Sequence, residues 1–283
     1  MENIGVYMIR TACSNYHCKE EVFMRAKSIF MKRLGAVALA AGIVFGALAA
    51  NTHQVSAATK FRVADTKYEK SYKLDDGKVY FEAKGVFPVI KDNSKAAKKI
   101  NQELKKAKNA WIKETKKEAS DAKADFDLML SDDSVSMPEW VYSDDINYEV
   151  TSNDGKYFSV LMSGDDFRGG AHGSRYRVTM TFNAKTGQKL TAAKLFGTTQ
   201  AKVNAKARNL YLKLYDKKGI EAGFYGDDEF SGKKGRDILK EKLASMDFSN
   251  AFYVKNGKAV FYANPYDLGP YAAGFIEVSA TVK

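Results

Sequence analysis

Cysteine and histidine are scarce in this 283-residue chain, and their positions limit the chemistry that it can perform. Cys13 and Cys18 are the only cysteines, and His172 is the only histidine beyond residue 53. This excludes a disulfide framework in the rest of the chain, and it excludes a lipid-anchored precursor, which needs a cysteine directly after its export signal. Because a zinc site usually takes several His or Cys ligands, we expect no metal and no other cofactor.

The signatures of several enzyme classes are absent as well. The sequence contains no G-x-S-x-G, no H-E-x-x-H and no Walker motif. Adjacent acids occur at Asp144-Asp145 and Asp165-Asp166, but none has the spacing of a calcium loop, and sequence adjacency alone does not create two carboxylates of different acidity. We therefore expect these pairs to be solvated turn residues, and the sequence favours binding over catalysis.

Long apolar runs are limited to one, from Leu34 to Ala50, which follows the basic Lys32 and precedes small residues ending at Ala57. This pattern predicts that residues 31–57 are a secretory signal and that the protein is exported. The run is shorter than the about 20 residues of a membrane-spanning helix, so we expect membrane attachment only if the signal is not cleaved. Residues 1–30 look neither like a folded domain nor like the start of a signal, and we expect translation to begin at Met31 or Met24. The alternative is a long cytoplasmic leader.

Positive charge is in excess, with 45 Lys and Arg against 34 Asp and Glu and a net charge of +11. Ten lysines lie between Ser94 and Ala124, where only four acids accompany them. An exported basic protein accumulates at anionic surfaces such as wall polymers, and export argues against a nucleic-acid partner. The alternative is that the lysines form an ordinary solvated helix face.

The hydrophobic pattern predicts an α+β fold of antiparallel sheets with helices packed on one face. Apolar residues spaced by three and four predict a long helix from Ser94 to about Ala124, and two shorter helices over Thr199–Lys217 and Arg236–Met246. We expect two intimately packed subdomains, spanning residues 58–165 and 166–283.

Two segments carry the candidate binding residues. The first is a glycine-rich turn that contains Gly169, Gly170 and His172. Its glycines are predicted to need unusual φ angles, with His172 bonded to nearby backbone or, alternatively, in contact with a ligand. The second is an aromatic loop stiffened by proline before the last strand, and its candidate residues are Tyr262, Asn264, Pro265, Tyr266 and Tyr271. These tyrosines are predicted to pack a sheet edge, to bind a partner, or both.

Together these segments resemble the extracytoplasmic PdaC/RsiV-like module. The resemblance rests on Gly169-Gly-Ala-His-Gly173, the strand after it, the turn Phe182–Gly187, the Leu195-Phe196 step and the final aromatic loop. Such modules occur in lysozyme-sensing anti-sigma factors and beside peptidoglycan deacetylase domains. The resemblance implies a part in the cell envelope and covers roughly residues 58–283, although the catalytic deacetylase domain, with its paired histidines and aspartate, is missing.

The sequence thus predicts an exported, non-catalytic module of the cell envelope. Its expected partner is peptidoglycan, an anionic wall polymer, or a wall-lytic protein such as lysozyme. Asp227 and Asp228, which are framed by aromatic residues, are the candidate contacts for such a cationic protein. The alternative is a cell-wall polysaccharide deacetylase or hydrolase that acts through His172 and nearby acids.

Overall fold

The computed structural model describes residues 60–131 and 140–282. The predicted signal segment, the preceding leader and both cysteines lie outside the described residues. Within them, no helix combines the length and the apolar character that crossing a membrane requires.

The larger sheet has six strands in chain order. They are β1 Val63–Lys73, β2 Val79–Ile90, β3 Tyr142–Asn153, β4 Tyr157–Phe167, β5 Ser174–Asn183 and β6 Lys189–Leu190. Neighbouring strands are antiparallel with one exception, because β2 and β3 run parallel. The predicted antiparallel pairing therefore holds for the other strand pairs but not for this one. Parallel strands need a long crossover, and the helix α1, Lys95–Leu130, supplies it.

Helix α1 covers one face of this sheet. The helix begins after Ser94, as predicted, and its first turn is capped because the Ser94 hydroxyl accepts the Ala97 N–H at 3.0 Å. Its buried stripe includes Ala97, Ile100, Leu104, Trp111, Thr115, Ala119, Ala122 and Phe126. The helix continues beyond the predicted end near Ala124 because Phe126 still packs on the sheet, with its ring centroid 5.0 Å from that of Tyr142.

The smaller sheet has three antiparallel strands, β7 Phe252–Lys255, β8 Lys258–Ala263 and β9 Ile276–Thr281. Three helices accompany it, namely α2 Ala192–Phe196, α3 Gln200–Lys218 and α4 Gly235–Ser245, and 3-10 turns span Gly219–Ala222 and Tyr271–Ala273. Helix α3 begins after the capping Thr199 and packs on β9, where the buried Tyr211 hydroxyl donates to the Ile276 carbonyl at 3.0 Å. The fold is thus α+β, as predicted.

The two sheets meet on the face of β4 and β5 that α1 does not cover. The buried Ser159 hydroxyl of β4 accepts the Val254 N–H of β7 at 2.9 Å, and the Thr179 hydroxyl donates to the Asn250 carbonyl at 2.8 Å. Farther along β4 and β5 the same face is open. The predicted division between residues 165 and 166 falls inside β4, and the larger sheet continues through it to Leu190.

Candidate functional site

A row of charged residues crosses five neighbouring strands on the open face of the larger sheet. In the strand register Lys84 pairs with Asp145, Asp145 with Asp165, and Asp165 with Arg175, while Glu69 of β1 pairs with Lys84. Residues paired in this way point to the same side of a sheet. Five strands therefore contribute one charged side chain each to a single line.

These side chains line a groove of about 460 Å³. The charged row lies along its floor, Asn147 and Ser163 add polar groups, and Phe275 contributes from the segment just before β9. The groove therefore lies where the open face of the larger sheet meets the smaller sheet.

Beneath the floor, the Tyr176 ring occupies the space that a side chain at Gly164 would fill. An added Cβ at Gly164 would lie 2.1 Å from the Tyr176 ring, which fills that space from the side of α1. The Tyr176 hydroxyl accepts from Trp111 Nε1 at 2.8 Å and donates to the buried Asp144 carboxylate at 2.7 Å. These bonds fix the ring under the groove.

The charges in the row are unevenly compensated. Lys84 Nζ bonds to Glu82 at 2.6 Å, and Arg175 Nε lies 3.8 Å from Asp165, whereas no salt bridge within 4.0 Å joins Asp145 to any described residue. Partial burial raises the pKa of Asp145, the Lys84 charge opposes this, and the Glu82 and Asp165 carboxylates reinforce it. Asp145 as a whole is solvent-exposed. The groove walls therefore shield only part of its carboxyl group from water.

The two segments predicted to carry binding residues come together at one end of the groove. The His172 ring stacks on Tyr271 with centroids 3.8 Å apart and an interplanar angle of 13°. Nδ1–H of His172 donates to the Gly173 carbonyl at 2.8 Å, so in the neutral ring Nε2 accepts from the Tyr266 hydroxyl at 3.4 Å. We call His172, Tyr266 and Tyr271 the aromatic platform.

Arg175 connects the platform to the groove, because its guanidinium lies 5.4 Å from the Tyr271 ring centroid. The predicted glycine turn is confirmed, with φ of +80° at Gly169 and +87° at Gly170. The prediction that His172 bonds to nearby backbone is also confirmed by its contact with Gly173.

The aromatic loop is held by its own hydrogen bonds. The Asn264 N–H donates to the Asp267 carboxylate at 2.7 Å, and the Tyr266 N–H donates to the Gly269 carbonyl at 3.0 Å. With Pro265 between them, these bonds hold Tyr266 at a φ of +69°, a left-handed conformation that is uncommon outside glycine. The loop thus keeps Tyr266 facing His172.

Three other predicted residues lie apart from this arrangement. Tyr262 is buried between the sheets, where burial raises its pKa to about 12. The Asp227 carboxylate accepts the Gly235 N–H at the start of α4 and pairs with Lys234, and Asp228 accepts the Phe230 and Ser231 N–H groups. These bonds lower the pKa of both aspartates.

Sequence reasoning missed Lys84, Asp145, Arg175 and Phe275 as groove residues, and it misplaced the acid pairs. Asp144-Asp145 and Asp165-Asp166 lie inside β3 and β4 rather than in turns, so the expectation of solvated turns is wrong. Because side chains alternate along a strand, Asp144 and Asp166 are buried while Asp145 and Asp165 face the groove. Around the first pair, Tyr142, Ile146 and Tyr148 alternate with polar residues, and this was the available signal.

Comparison with known proteins identifies two consecutive domains. Residues 75–175 match the family model described as "Deacetylase PdaC", and residues 199–280 match the one described as "Protein of unknown function (DUF3298)". The chain therefore contains a PdaC domain and a DUF3298 domain, which confirms the predicted resemblance. These domains point to an extracytoplasmic module of the cell envelope. Most of the groove lies in the first match, whereas Phe275, Tyr266 and Tyr271 lie in the second.

Solved structures of DUF3298 family members share the fold. One, from Bacteroides fragilis, is 17% identical with a TM-score of 0.55, covering 80% of this chain and 92% of its own. Another, from Pseudomonas aeruginosa, is 12% identical with a TM-score of 0.50, covering 79% of this chain and 91% of its own. No curated protein matches the chain.

Proposed function

We propose that this protein is a non-catalytic binding module of the bacterial cell envelope that holds peptidoglycan in the groove between its two sheets. The observation that carries the proposal is the convergence of both domains on one open groove, with a charged floor and an aromatic platform at its end. A volume of about 460 Å³ lies in the usual range of ligand sites.

The groove offers the contacts that a polar polymer needs. Carboxylates, a guanidinium and the Asn147 amide supply donors and acceptors, while the aromatic side chains of Phe275 and of the platform supply apolar contact area. The rigid loop around Tyr266 reduces the ordering cost of binding.

Binding is favoured over catalysis by the arrangement of His172. Both of its ring nitrogens already take part in hydrogen bonds, and it lies on the exposed rim rather than within the groove. Among the described residues no group of three or more His, Cys, Asp or Glu side chains is placed to hold a metal ion. We therefore assign His172 to the support of Tyr271 and Tyr266.

A second candidate is electrostatic attachment of α1 to an anionic wall polymer. Among the described residues, the lysines of α1 that form salt bridges are Lys106, Lys117 and Lys123. Exposed lysines without one are Lys95, Lys98, Lys99, Lys105, Lys113 and Lys116. Attachment through these lysines would weaken as salt rises, because exposed charges are screened.

The test is retention of the purified protein on peptidoglycan sacculi at about 0.15 M and about 1 M salt. We expect Arg175→Ala to reduce retention by about tenfold, which corresponds to about 1.4 kcal/mol. Lys113→Ala on α1 is the matched control, because it removes one exposed cation away from the groove, and we expect it to leave retention unchanged.

Other outcomes would overturn the proposal. Retention could depend on attached wall polymer and be lost at high salt to the same extent in Arg175→Ala and Lys113→Ala. That result would show that the lysines of α1, and not the groove, bind the wall. Capture of lysozyme with no retention on sacculi would assign a protein partner, and release of acetate from peptidoglycan would establish catalysis.

A further inference from the structure

We propose that the groove recognises a zwitterionic group, an ammonium next to a carboxylate, and therefore contacts the peptide part of the wall polymer rather than its glycan strand. The inference rests on the proposed function and specifies the ligand class of the same groove. It follows from the order of charges along the floor, where two carboxylates lie side by side between Lys84 and Arg175.

The two central carboxylates form the ammonium half of the site. Asp145 and Asp165 are directly opposite in an antiparallel pair, so their Cβ atoms lie about 4.5–5.5 Å apart on the same face. Like charges at this separation repel each other, and Lys84 relieves the repulsion only partly because its ammonium is bonded to Glu82. A ligand ammonium between Asp145 and Asp165 would complete the charge pairing.

Arg175 forms the carboxylate half. Its side chain is 54% exposed, and its contact with Asp165 is 3.8 Å, longer than a hydrogen bond. The planar guanidinium lies over Tyr271, so its remaining N–H groups are available for a ligand carboxylate in the two-point geometry that arginine favours. Neighbouring strands are about 4.8 Å apart, which places the two halves within the span of one amino acid or diamino acid.

Other wall components fit this pattern less well. A neutral sugar has no charge to match the row, and a polyphosphate would face Glu69, Asp145 and Asp165. Anionic polymer is better matched to the lysines of α1, outside the groove.

The ammonium half also gives the binding a pH dependence. An ammonium ligand needs Asp145 ionised, and because the pKa of this carboxyl is raised, binding should weaken as pH falls at values where an ordinary aspartate is still charged. The charged and titratable groups that face Asp145 or lie at the groove are Glu69, Glu82, Lys84, Asp165, Arg175 and, on the rim, His172. As pH falls, the acids among these groups lose negative charge, and none of the groups gains it. Binding of an ammonium ligand is therefore still expected to weaken.

The experiment compares three soluble probes by calorimetry. They are a disaccharide–peptide with a free diamino-acid end, the same fragment with its side-chain amine acetylated, and the disaccharide without peptide. We expect acetylation and Asp145→Asn each to weaken binding by about tenfold. The acetylated probe should bind wild type and Asp145→Asn equally, because both changes remove the same contact. Arg175→Lys keeps the positive charge but cannot make the two-point contact of a guanidinium with a carboxylate, so it should also weaken binding. Lys113→Gln, away from the groove, should not.

The outcomes separate the inference from the proposed function. Equal binding of the acetylated and free-amine probes, or tight binding of the peptide-free disaccharide, would overturn the inference, while Arg175-dependent retention on sacculi would leave the proposed function intact. Probe binding that depends on the free amine and on Asp145, without retention on sacculi, would support recognition of the zwitterionic group and overturn the proposed function of holding the wall polymer.

Discussion

Gly164→Ala is expected to destabilise the protein by about 3 kcal/mol, the upper range for overpacking a well-filled core. The new methyl group would overlap the Tyr176 ring, since an ideal Cβ lies 2.1 Å from that ring. Tyr176 cannot move aside without breaking its buried hydrogen bonds to Trp111 and Asp144. The free energy of unfolding, measured in urea, checks this prediction.

Ser163→Ala is the matched control for this substitution. Ser163 precedes Gly164 in β4, but its side chain is exposed on the opposite face, so we expect a change within about 0.5 kcal/mol. If Gly164→Ala were as stable as this control, the Tyr176 ring would have to be free to swing away, and the account of a fixed groove floor would fail.

Arg168→Ala is expected to cost about 3 kcal/mol, the lower end of the loss seen when one member of a buried ion pair is removed, because the Arg168 and Glu118 side chains are mostly rather than fully buried. The Arg168 side chain is only 16% exposed, and Nη2 lies 2.6 Å from Glu118 Oε2 and 3.9 Å from Asp166. Nη1 also donates to the Ser143 carbonyl at 2.8 Å. The variant would leave two carboxylates near each other without this cation.

Two further variants make the Arg168 result interpretable. Arg168→Lys keeps the positive charge but cannot reach both Glu118 and Ser143, so we expect an intermediate loss. Arg62→Ala removes an arginine whose side chain is 79% exposed and paired with Asp92, and we expect less than about 1 kcal/mol. Equal urea midpoints for Arg168→Ala and Arg62→Ala would show that the buried pair does not stabilise the fold.

Local elements were predictable because their signals lie within a few residues. Ser94 and Thr199 begin helices as N-caps, and Asp76-Gly77 joins β1 to β2 as a hairpin turn. The parallel pairing of β2 with β3 was not predictable in this way. Periodicity reports which face of a strand is buried, but it carries no information on which strand lies beside it.

The candidate site shows the same limit. The glycine turn and the aromatic loop were identified from composition, and the stack of His172 on Tyr271 brings them together across more than ninety residues of sequence. The charged row depends on register between five strands, so Lys84 and Arg175 looked like ordinary surface residues. Tyr262 was grouped with the loop residues although it is buried, like Phe261 and Ala263 beside it, because both faces of this end of β8 are covered.

If the groove holds a ligand as proposed, its position would couple binding to the mechanical strength of the molecule. Its floor comes from β1 to β5 and Phe275 from beside β9, so a bound chain would act as a clamp between the two sheets. A ligand at one hundred times its dissociation constant would add about 2.7 kcal/mol to the free energy of unfolding. Pulling the sheets apart would release that ligand, so a wall-bound molecule under tension would resist separation more strongly than a free one.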